Sequence, residues 1–167
     1  MVHNEKKKVL LTFFEGTSAE LLLKKFKNFT VVSLPNDKLK DYELLIEMLS
    51  KAHFNYVLSF GQRPNIKDKV HIETTARNGE LRLDIIFDCE RLKMLFEQND
   101  IPAKISHNAG TSFCNCLYWN GLKYIKDNAL ETKMVFVHVP FRKNIEDFEL
   151  FQQRIYCTLK ALEGGDA

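Results

Sequence analysis

Three side chains capable of nucleophilic or acid–base chemistry stand near the carboxyl ends of predicted strands: Glu73, Cys114 and His138. In open α/β sheets, functional sites form at this edge of the sheet. A cysteine can serve as nucleophile, a histidine as its base, and a carboxylate can fix the imidazole tautomer. The three residue types and their positions are therefore compatible with a cysteine-hydrolase triad in which Cys114 attacks a carbonyl carbon.

The predicted position of Cys114 supplies a reason for reactivity. It follows a short strand and a glycine-containing loop, and it lies in the first turn of a predicted helix. The helix dipole and the free amides there favour a thiolate, so we expect a lowered thiol pKa. The same amides can hold a developing oxyanion.

Each of the three residues also has an ordinary structural explanation. A cysteine at the start of an amphipathic helix is usually a small core residue. A histidine two residues before Pro140 is commonly a satisfied structural residue, and a single glutamate in a strand is commonly solvated. Spacing alone leaves both interpretations open.

Strands and helices alternate along the chain, which predicts how these residues are positioned. The predicted strands are Lys8–Phe14, Phe29–Leu34, Tyr56–Phe60, Val70–Thr75, Leu81–Phe87, Lys104–Ser106 and Met134–Val139, with a turn at Asn78–Gly79 and a loop over 62–69. The predicted helices run from Thr17 to about Lys25, Leu39 to Ala52, Asp88 to about Gln98, Ser112 to Lys126 and Ile145 to Leu162. This order predicts an α/β fold: one domain over 1–167, a three-layer α/β/α sandwich around a mostly parallel twisted sheet.

Composition excludes several classes of protein. The chain has 167 residues, a net charge of +2 and 45% hydrophobic residues, the profile of one globular domain that does not bind nucleic acid. The run Lys6–Lys8 is interpreted as a solubilising arm. The charged start does not resemble a signal peptide, and no apolar run is long enough to span a membrane. We therefore expect a cytoplasmic protein.

The four cysteines are expected to be free thiols in that reducing compartment. Cys114 and Cys116 form a C-x-C pair without a second Cys/His pair at ligand spacing, so no metal site is predicted.

Three segments resemble the motifs of the pyroglutamyl peptidase I (pyrrolidone-carboxylate peptidase) family. Residues 101–115, Ile-Pro-Ala-Lys-Ile-Ser-His-Asn-Ala-Gly-Thr-Ser-Phe-Cys-Asn, are similar to the family's nucleophile motif, Gly-Ile-Pro-Ala, a short strand, then Ala-Gly-Thr-Tyr-x-Cys-Asn. Residues 136–140, Phe-Val-His-Val-Pro, resemble its Phe-Ile-His-Val-Pro. Residues 72–78, Ile-Glu-Thr-Thr-Ala-Arg-Asn, resemble its x-Glu-x-x-Ala-x-Asn. The order Glu, Cys, His is also the order in that family.

The resemblance implies a function. The family removes an N-terminal pyroglutamyl residue from peptides through a thioester, so the implied substrate is a peptide with N-terminal pyroglutamate. Glu73, Cys114 and His138 match the family's catalytic glutamate, cysteine and histidine. No cofactor is implied. Members of the family tend to form homo-oligomers, so the resemblance implies a homo-oligomer as one possible assembly of this chain.

The predicted substrate-binding residues depart from the family pattern. The family's first loop reads Gly-Phe-Glu-Pro-Phe-Gly, and its aromatics help bind the lactam ring; here residues 13–18 read Phe-Phe-Glu-Gly-Thr-Ser. The Asn-Pro segment that follows in the family is missing, and the stretch between Asn78 and Phe87 is much shorter. The candidates for the pocket are Phe13, Phe14, Gln62 and Phe113, each of which could equally be a packing or loop residue.

Three hypotheses follow. The first is a pyroglutamyl-peptidase-like cysteine hydrolase. The second is a non-hydrolytic member that binds modified N-termini or small lactams, suggested by the shortened loop. The third is an amidase that uses the same triad on another N-acyl group.

Overall fold

The computed structural model describes residues 5–165, so residues 1–4 and 166–167 lie outside the described range. The strands are β1 Val9–Phe14, β2 Thr30–Leu34, β3 Tyr56–Arg63, β4 Val70–Glu73, β5 Thr75–Asn78, β6 Leu81–Asp84, β7 Ala103–Ser106 and β8 Lys133–Pro140. The helices are α1 Ser18–Leu23, α2 Lys40–Lys51, α3 Cys89–Gln98, α4 Phe113–Asp127 and α5 Phe148–Glu163, with a 3-10 turn at Arg142–Asn144.

Six strands form the central sheet in the order β2-β1-β3-β8-β4-β7. All neighbouring pairs are parallel except β4 and β8, which run antiparallel. The predicted mostly parallel sheet is confirmed. Strands β5 and β6 form a separate two-stranded hairpin.

Helices cover both faces of the sheet, which confirms the predicted three layers. One apolar cluster joins the sheet to α1, α3 and α5, and includes Leu22, Leu92 and Ile155. The other joins the opposite face to α2 and α4, and includes Leu45 and Leu117. Alternate residues of each buried strand feed the two clusters, since successive side chains point to opposite faces.

Side-chain caps fix the starts of three helices. Thr17 accepts a hydrogen bond from the Glu20 amide at 3.4 Å, Asp88 from the Arg91 amide at 2.9 Å and Asp147 from the Leu150 amide at 3.1 Å. Such caps satisfy amides that have no partner within the helix. Because Asp147 is the cap, α5 begins at Phe148, three residues later than predicted.

Three strand predictions were wrong in extent. β6 ends at Asp84 instead of Phe87. β3 continues through Arg63 instead of ending at Phe60, because its last residues pair with β8, Gly61 beside His138 and Gln62 beside Val139. The predicted strand Val70–Thr75 is divided at Thr74. Its first part joins the sheet beside β8, and its second part turns away into the hairpin.

The predicted arm is partly anchored. The Lys7 amide donates to the Glu163 carbonyl at 2.8 Å, and Lys6 lies 3.2 Å from the Glu163 carboxylate. None of the helices in the described part of the chain combines the length and apolar character that crossing a bilayer requires.

Candidate active site

Glu73 and His138 are directly hydrogen-bonded. The distance from His138 Nδ1 to Glu73 Oε1 is 2.8 Å, and both side chains are buried. Glu73 ends β4, and its register partner on β8 is Phe136, two residues before His138, so both residues face the same side of the sheet. A carboxylate at Nδ1 fixes the tautomer that leaves Nε2 free to accept a proton.

Arg63 balances the buried carboxylate. Its Nη1 lies 3.0 Å from Glu73 Oε1 and 3.2 Å from the Asn108 carbonyl oxygen, to which it donates. Since breaking a buried ion pair is strongly destabilising, the Arg63 side chain helps to stabilise the buried Glu73 carboxylate within the fold. This role could not be predicted from the sequence, where residue 63 falls in a predicted loop next to the candidate Gln62.

The Cys114 sulfur lies over the strand that neighbours His138. A Cβ atom added to Gly61 would stand 2.6 Å from Cys114 Sγ. Gly61 is the register partner of His138 on the adjacent parallel strand, and partners in register point to the same face. The fold therefore brings the thiol to the face and the level of the sheet at which the imidazole and Glu73 meet.

The expected lowering of the Cys114 pKa was wrong. Burial raises the pKa of the thiol to about 12, and the negative charge of Glu73 adds to the rise. The backbone amide of Cys114 itself and the Arg63 guanidinium oppose this rise but do not overcome it. The helix terminus acts in the predicted direction, but the desolvation of a largely covered sulfur is the larger effect.

The start of α4 is held by its neighbours. The Asn115 side chain accepts a hydrogen bond from the Arg77 amide at 2.9 Å and donates to the Arg77 carbonyl at 2.8 Å. The Asn108 side chain accepts from the Gly110 amide at 3.0 Å, and Gly110 adopts a φ of +88°, which favours glycine. These contacts set the position of the first-turn amides that surround Cys114.

The structure brings together only two of the four predicted pocket residues. Phe14 and Phe113 pack edge to face with ring centroids 6.3 Å apart, in the apolar cluster to which Cys114 also belongs. Phe13 belongs to the cluster on the opposite face of the sheet. Gln62 uses its side-chain oxygen to accept from the Ser18 amide at 3.0 Å, which ties β3 to the start of α1.

Asp41 is a buried carboxyl that the sequence analysis did not single out. The side chain is 0% exposed, and neither oxygen has a hydrogen-bond partner among the described residues. Burial raises its pKa to about 6, and Asp37 adds to this, while the Tyr42 amide and Lys38 oppose it. On this helix the buried positions are Asp41, Leu45 and Leu49.

This raised pKa predicts the pH dependence of stability. The folded state keeps the Asp41 proton up to about pH 6, whereas an unfolded chain releases it near 3.8, so stability is lost as pH rises through this window. Asp41→Asn removes the titration. We expect its free energy of unfolding, relative to the wild type, to rise by about 2 kcal/mol between pH 4 and pH 7 in urea denaturation.

Asp37 offers a matched control one helical turn earlier. Its carboxylate accepts from the Lys40 and Leu39 amides, both at 3.0 Å, and the Lys40 bond is the main reason that its pKa is lowered. Asp37→Asn should therefore lose stability relative to the wild type as pH rises. The same pH trend in both variants would contradict the account of Asp41.

No cluster of three or more His, Cys, Asp or Glu side chains able to hold a metal ion occurs within residues 5–165. All four cysteines are free thiols.

Comparison with known proteins gives the site a family context. The sequence model of the pyroglutamyl peptidase family matches residues 86–150, which include Cys114 and His138. Pyrrolidone-carboxylate peptidase 2 of Caldanaerobacter subterraneus subsp. tengcongensis is 27% identical over 80% of this chain and 81% of the relative. The pyrrolidone-carboxylate peptidase of Brachyspira hyodysenteriae is 30% identical over 66% of this chain and 65% of the relative.

Solved structures show the same fold. The pyrrolidone carboxyl peptidase of Fervidobacterium islandicum superposes with a TM-score of 0.84 at 20% identity, covering 94% of this chain and 98% of the other. The pyroglutamyl peptidase I of Bacillus amyloliquefaciens gives 0.81 at 18% identity, covering 97% and 98%. The matched family model, the curated relatives and this shared architecture together support membership of the chain in the pyroglutamyl peptidase family.

Proposed function

We propose that the protein hydrolyses the amide bond after an N-terminal pyroglutamyl residue of a peptide, with Cys114 as nucleophile, His138 as acid and base, and Glu73 as the residue that orients the histidine. The observation that supports this most directly is the 2.8 Å hydrogen bond between Glu73 and His138, on the face of the sheet over which the Cys114 sulfur lies. The relatives' names, which refer to pyrrolidone-carboxylate peptidases, point to the same reaction.

The first half of the proposed reaction acylates the enzyme. His138 Nε2 takes the thiol proton while Sγ of Cys114 bonds to the pyroglutamyl carbonyl carbon. The carbonyl oxygen becomes an oxyanion, which the amides at the start of α4 stabilise. The C–N bond then breaks, the imidazolium gives its proton to the departing amine, and a thioester remains.

The second half releases the acid. His138 takes a proton from water, whose oxygen attacks the thioester carbon, and the C–S bond breaks. The sulfur leaves as thiolate and recovers the proton from the imidazolium. The products are pyroglutamate and a peptide shortened by one residue, so no cofactor is consumed.

The raised thiol pKa defines the role of His138. With a pKa of about 12, only about one Cys114 thiol in 10⁵ would be ionised by solvent alone at neutral pH. Attack therefore requires proton transfer to the imidazole as the S–C bond forms, that is, general-base catalysis rather than a preformed thiolate.

Altered specificity remains the second candidate function. Of the predicted pocket residues, Phe13 packs in the opposite layer and Gln62 binds the start of α1. Because neither side chain packs with Phe14 and Phe113 beside Cys114, a changed acyl pocket is favoured, one that accepts another N-acyl group or that binds a ligand without turnover. The four free cysteines suit the reducing, cytoplasmic setting that we expect for either function.

A substrate panel separates these functions. Pyroglutamyl, prolyl and acetyl p-nitroanilides are incubated with the wild-type protein and with Cys114→Ser, and acid-quenched samples are examined by mass spectrometry. We expect release from the pyroglutamyl compound alone and a pyroglutamyl adduct on the peptide containing Cys114. Preferential release from the acetyl compound would establish altered specificity, and no release or adduct from any compound would refute hydrolysis.

Gly61→Ala tests whether activity depends on the close approach of the Cys114 sulfur to β3. Its Cβ would stand 2.6 Å from Cys114 Sγ and 3.0 Å from the Phe136 ring, so the sulfur must move from its position. A displacement of about 1 Å at the reacting atoms can lower the rate about 10²-fold, and we expect a loss of that size in kcat/KM.

Gly121→Ala is the control for crowding alone. Its Cβ would stand 2.6 Å from the Met134 sulfur. This is a comparable clash, but it lies farther along α4, the helix that carries Cys114. We expect a similar fall in melting temperature but less than about a threefold change in kcat/KM. Equal losses of activity in both variants would show that general packing, and not the position of the thiol, is responsible.

A further inference from the structure

Asp41 lies on the side of α2 that packs against α4. Leu45, one turn later, approaches Gly121: a Cβ atom at position 121 would stand 3.1 Å from Leu45 Cδ2. Residues four apart share a helix face, so Asp41 faces α4 one turn nearer its start. α2 connects β2 to β3, which runs parallel to it, and α4 passes from Cys114 beside Gly61 to Gly121 beside Met134. Both helices therefore run opposite to β3 and β8, and so in the same direction.

Two further observations place Asp41 beside the catalytic cysteine. Lys38 Nζ lies 5.6 Å from the centroid of the Phe113 ring, which puts the start of α2 against the residue before Cys114. The charge of Asp41 also acts on the Cys114 thiol. Asp41 thus belongs to the wall of the site that the Phe14–Phe113 pair also lines.

A buried carboxyl without any hydrogen-bond partner is costly and calls for an explanation. Lys38 and Asp37 are the charged groups near it in the segment just before α2, and Cys114 is the titratable group near it on α4. None of these residues is a hydrogen-bond partner of its oxygens. The carboxyl is therefore available to a ligand at the site.

The proposed substrate offers a matching pair of groups. A lactam is a cis amide, so its N–H and C=O lie on one edge of the ring, whereas an open-chain amide is trans and directs them to opposite sides. A protonated carboxyl has one O–H donor and one acceptor oxygen at similar spacing. The two edges can form two antiparallel hydrogen bonds.

We propose that Asp41 recognises the pyroglutamyl ring by pairing its carboxylic acid with the cis-amide edge of the lactam. This inference rests on the proposed function and names the residue that would select its substrate. Because the Asp41 side chain is fully covered, binding of the ring requires the part-exposed Phe113 and the exposed Lys38 to move outward, with Cys114 beside the exocyclic carbonyl. The neutral acid is the binding form, which agrees with the raised pKa of Asp41.

The test measures binding without turnover. Cys114→Ala protein is titrated calorimetrically with L-pyroglutamamide and with L-prolinamide, a ring of equal size that carries an ammonium and no lactam carbonyl. We expect the lactam to bind, its Kd to rise by up to about tenfold per pH unit above the Asp41 pKa, and prolinamide to bind more weakly.

Two substitutions at position 41 are added to the same background. Asp41→Asn keeps one donor and one acceptor, so it should bind the lactam with a Kd that no longer depends on pH. Asp41→Leu keeps neither and should weaken binding about 30-fold or more. A melting curve of each variant establishes that it is folded, and Asp41→Asn alone tests the pH effect if Asp41→Leu does not fold.

Several results would overturn the inference. Unchanged lactam binding in Asp41→Leu would show that the carboxyl is only a packing residue. Tighter binding of prolinamide, lost in Asp41→Asn, would show a site for a cationic amine. No step of the binding assay requires the thiol, so the two proposals can fail separately. If the lactam binds through Asp41 but the wild type does not hydrolyse the substrate, only the proposed function is refuted. If the wild type hydrolyses the substrate with a KM that does not change on substitution of residue 41, only this inference is refuted.

Discussion

Cys114→Ser should lower kcat/KM for a pyroglutamyl p-nitroanilide by about 10⁴-fold or more. A serine hydroxyl is a much weaker acid than a thiol, and the burial that raises the Cys114 pKa to about 12 would also disfavour an alkoxide. The side chains have similar size, so the packing against Gly61 is kept. Steady-state kinetics together with lactam binding separate a loss of chemistry from a loss of substrate affinity.

Cys116→Ser is the matched control. Cys116 is also half-buried in the first turns of α4, but its sulfur accepts from the Asn120 side chain at 3.7 Å, within the helix itself. Its replacement should change kcat/KM less than about threefold. If both variants lost activity equally, distortion of α4 would explain the loss and the assignment of Cys114 as nucleophile would fail.

The sequence predicted the fold where local chemistry determines the structure. Thr17 and Asp88 are side-chain caps, and the helices they were predicted to begin start there. The turn at Asn78–Gly79 joins β5 to β6, with Gly79 at a φ of +62°. The continuous apolar run Met134–Val139 is a central strand buried on both faces, as parallel sheets require.

The remaining errors concern interactions between residues distant in the sequence. Whether residues 61–63 extend β3 depends on the length of β8, some seventy positions later, and polar residues near Pro64 gave no sign of it. The division of the strand at Thr74 depends on the docking of the hairpin against Asn115. Local patterns contain neither piece of information.

The candidate site shows the same division. Glu73 and His138 were identified through motifs, and the structure places them in contact. Desolvation of Cys114, pairing of Arg63 with Glu73 and burial of Asp41 each depend on what the fold packs around a side chain. The sequence therefore predicted correctly that the helix terminus lowers the Cys114 pKa, but it did not reveal the larger, opposing effect of burial on that pKa.

His138→Gln should lower kcat/KM by about 10⁴-fold or more and change how the remaining activity depends on pH. The wild type requires the Cys114–His138 pair in one protonation state, which gives a bell-shaped profile of kcat. Without His138 the thiol must ionise unaided, so the residual kcat at saturating substrate should increase about tenfold per pH unit as pH rises toward the Cys114 pKa of about 12. Glu73 keeps its ion pair with Arg63, so the variant should remain folded.

His71→Gln provides the comparison that isolates this effect. His71 is also buried, is the register partner of His138 on β4, and lies 3.5 Å from Arg63 through Nδ1. Burial lowers the pKa of His71, and the Arg63 charge lowers it further, so the His71 imidazole is neutral at physiological pH. Replacing His71 leaves the contacts of Glu73 with His138 and Arg63 in place. Its replacement should lower kcat/KM less than about tenfold and keep the bell shape. Only replacement of the residue that takes the thiol proton can remove one limb of the profile. A bell-shaped profile in His138→Gln, or loss of the bell shape in His71→Gln, would therefore mean that the proton acceptor is not His138.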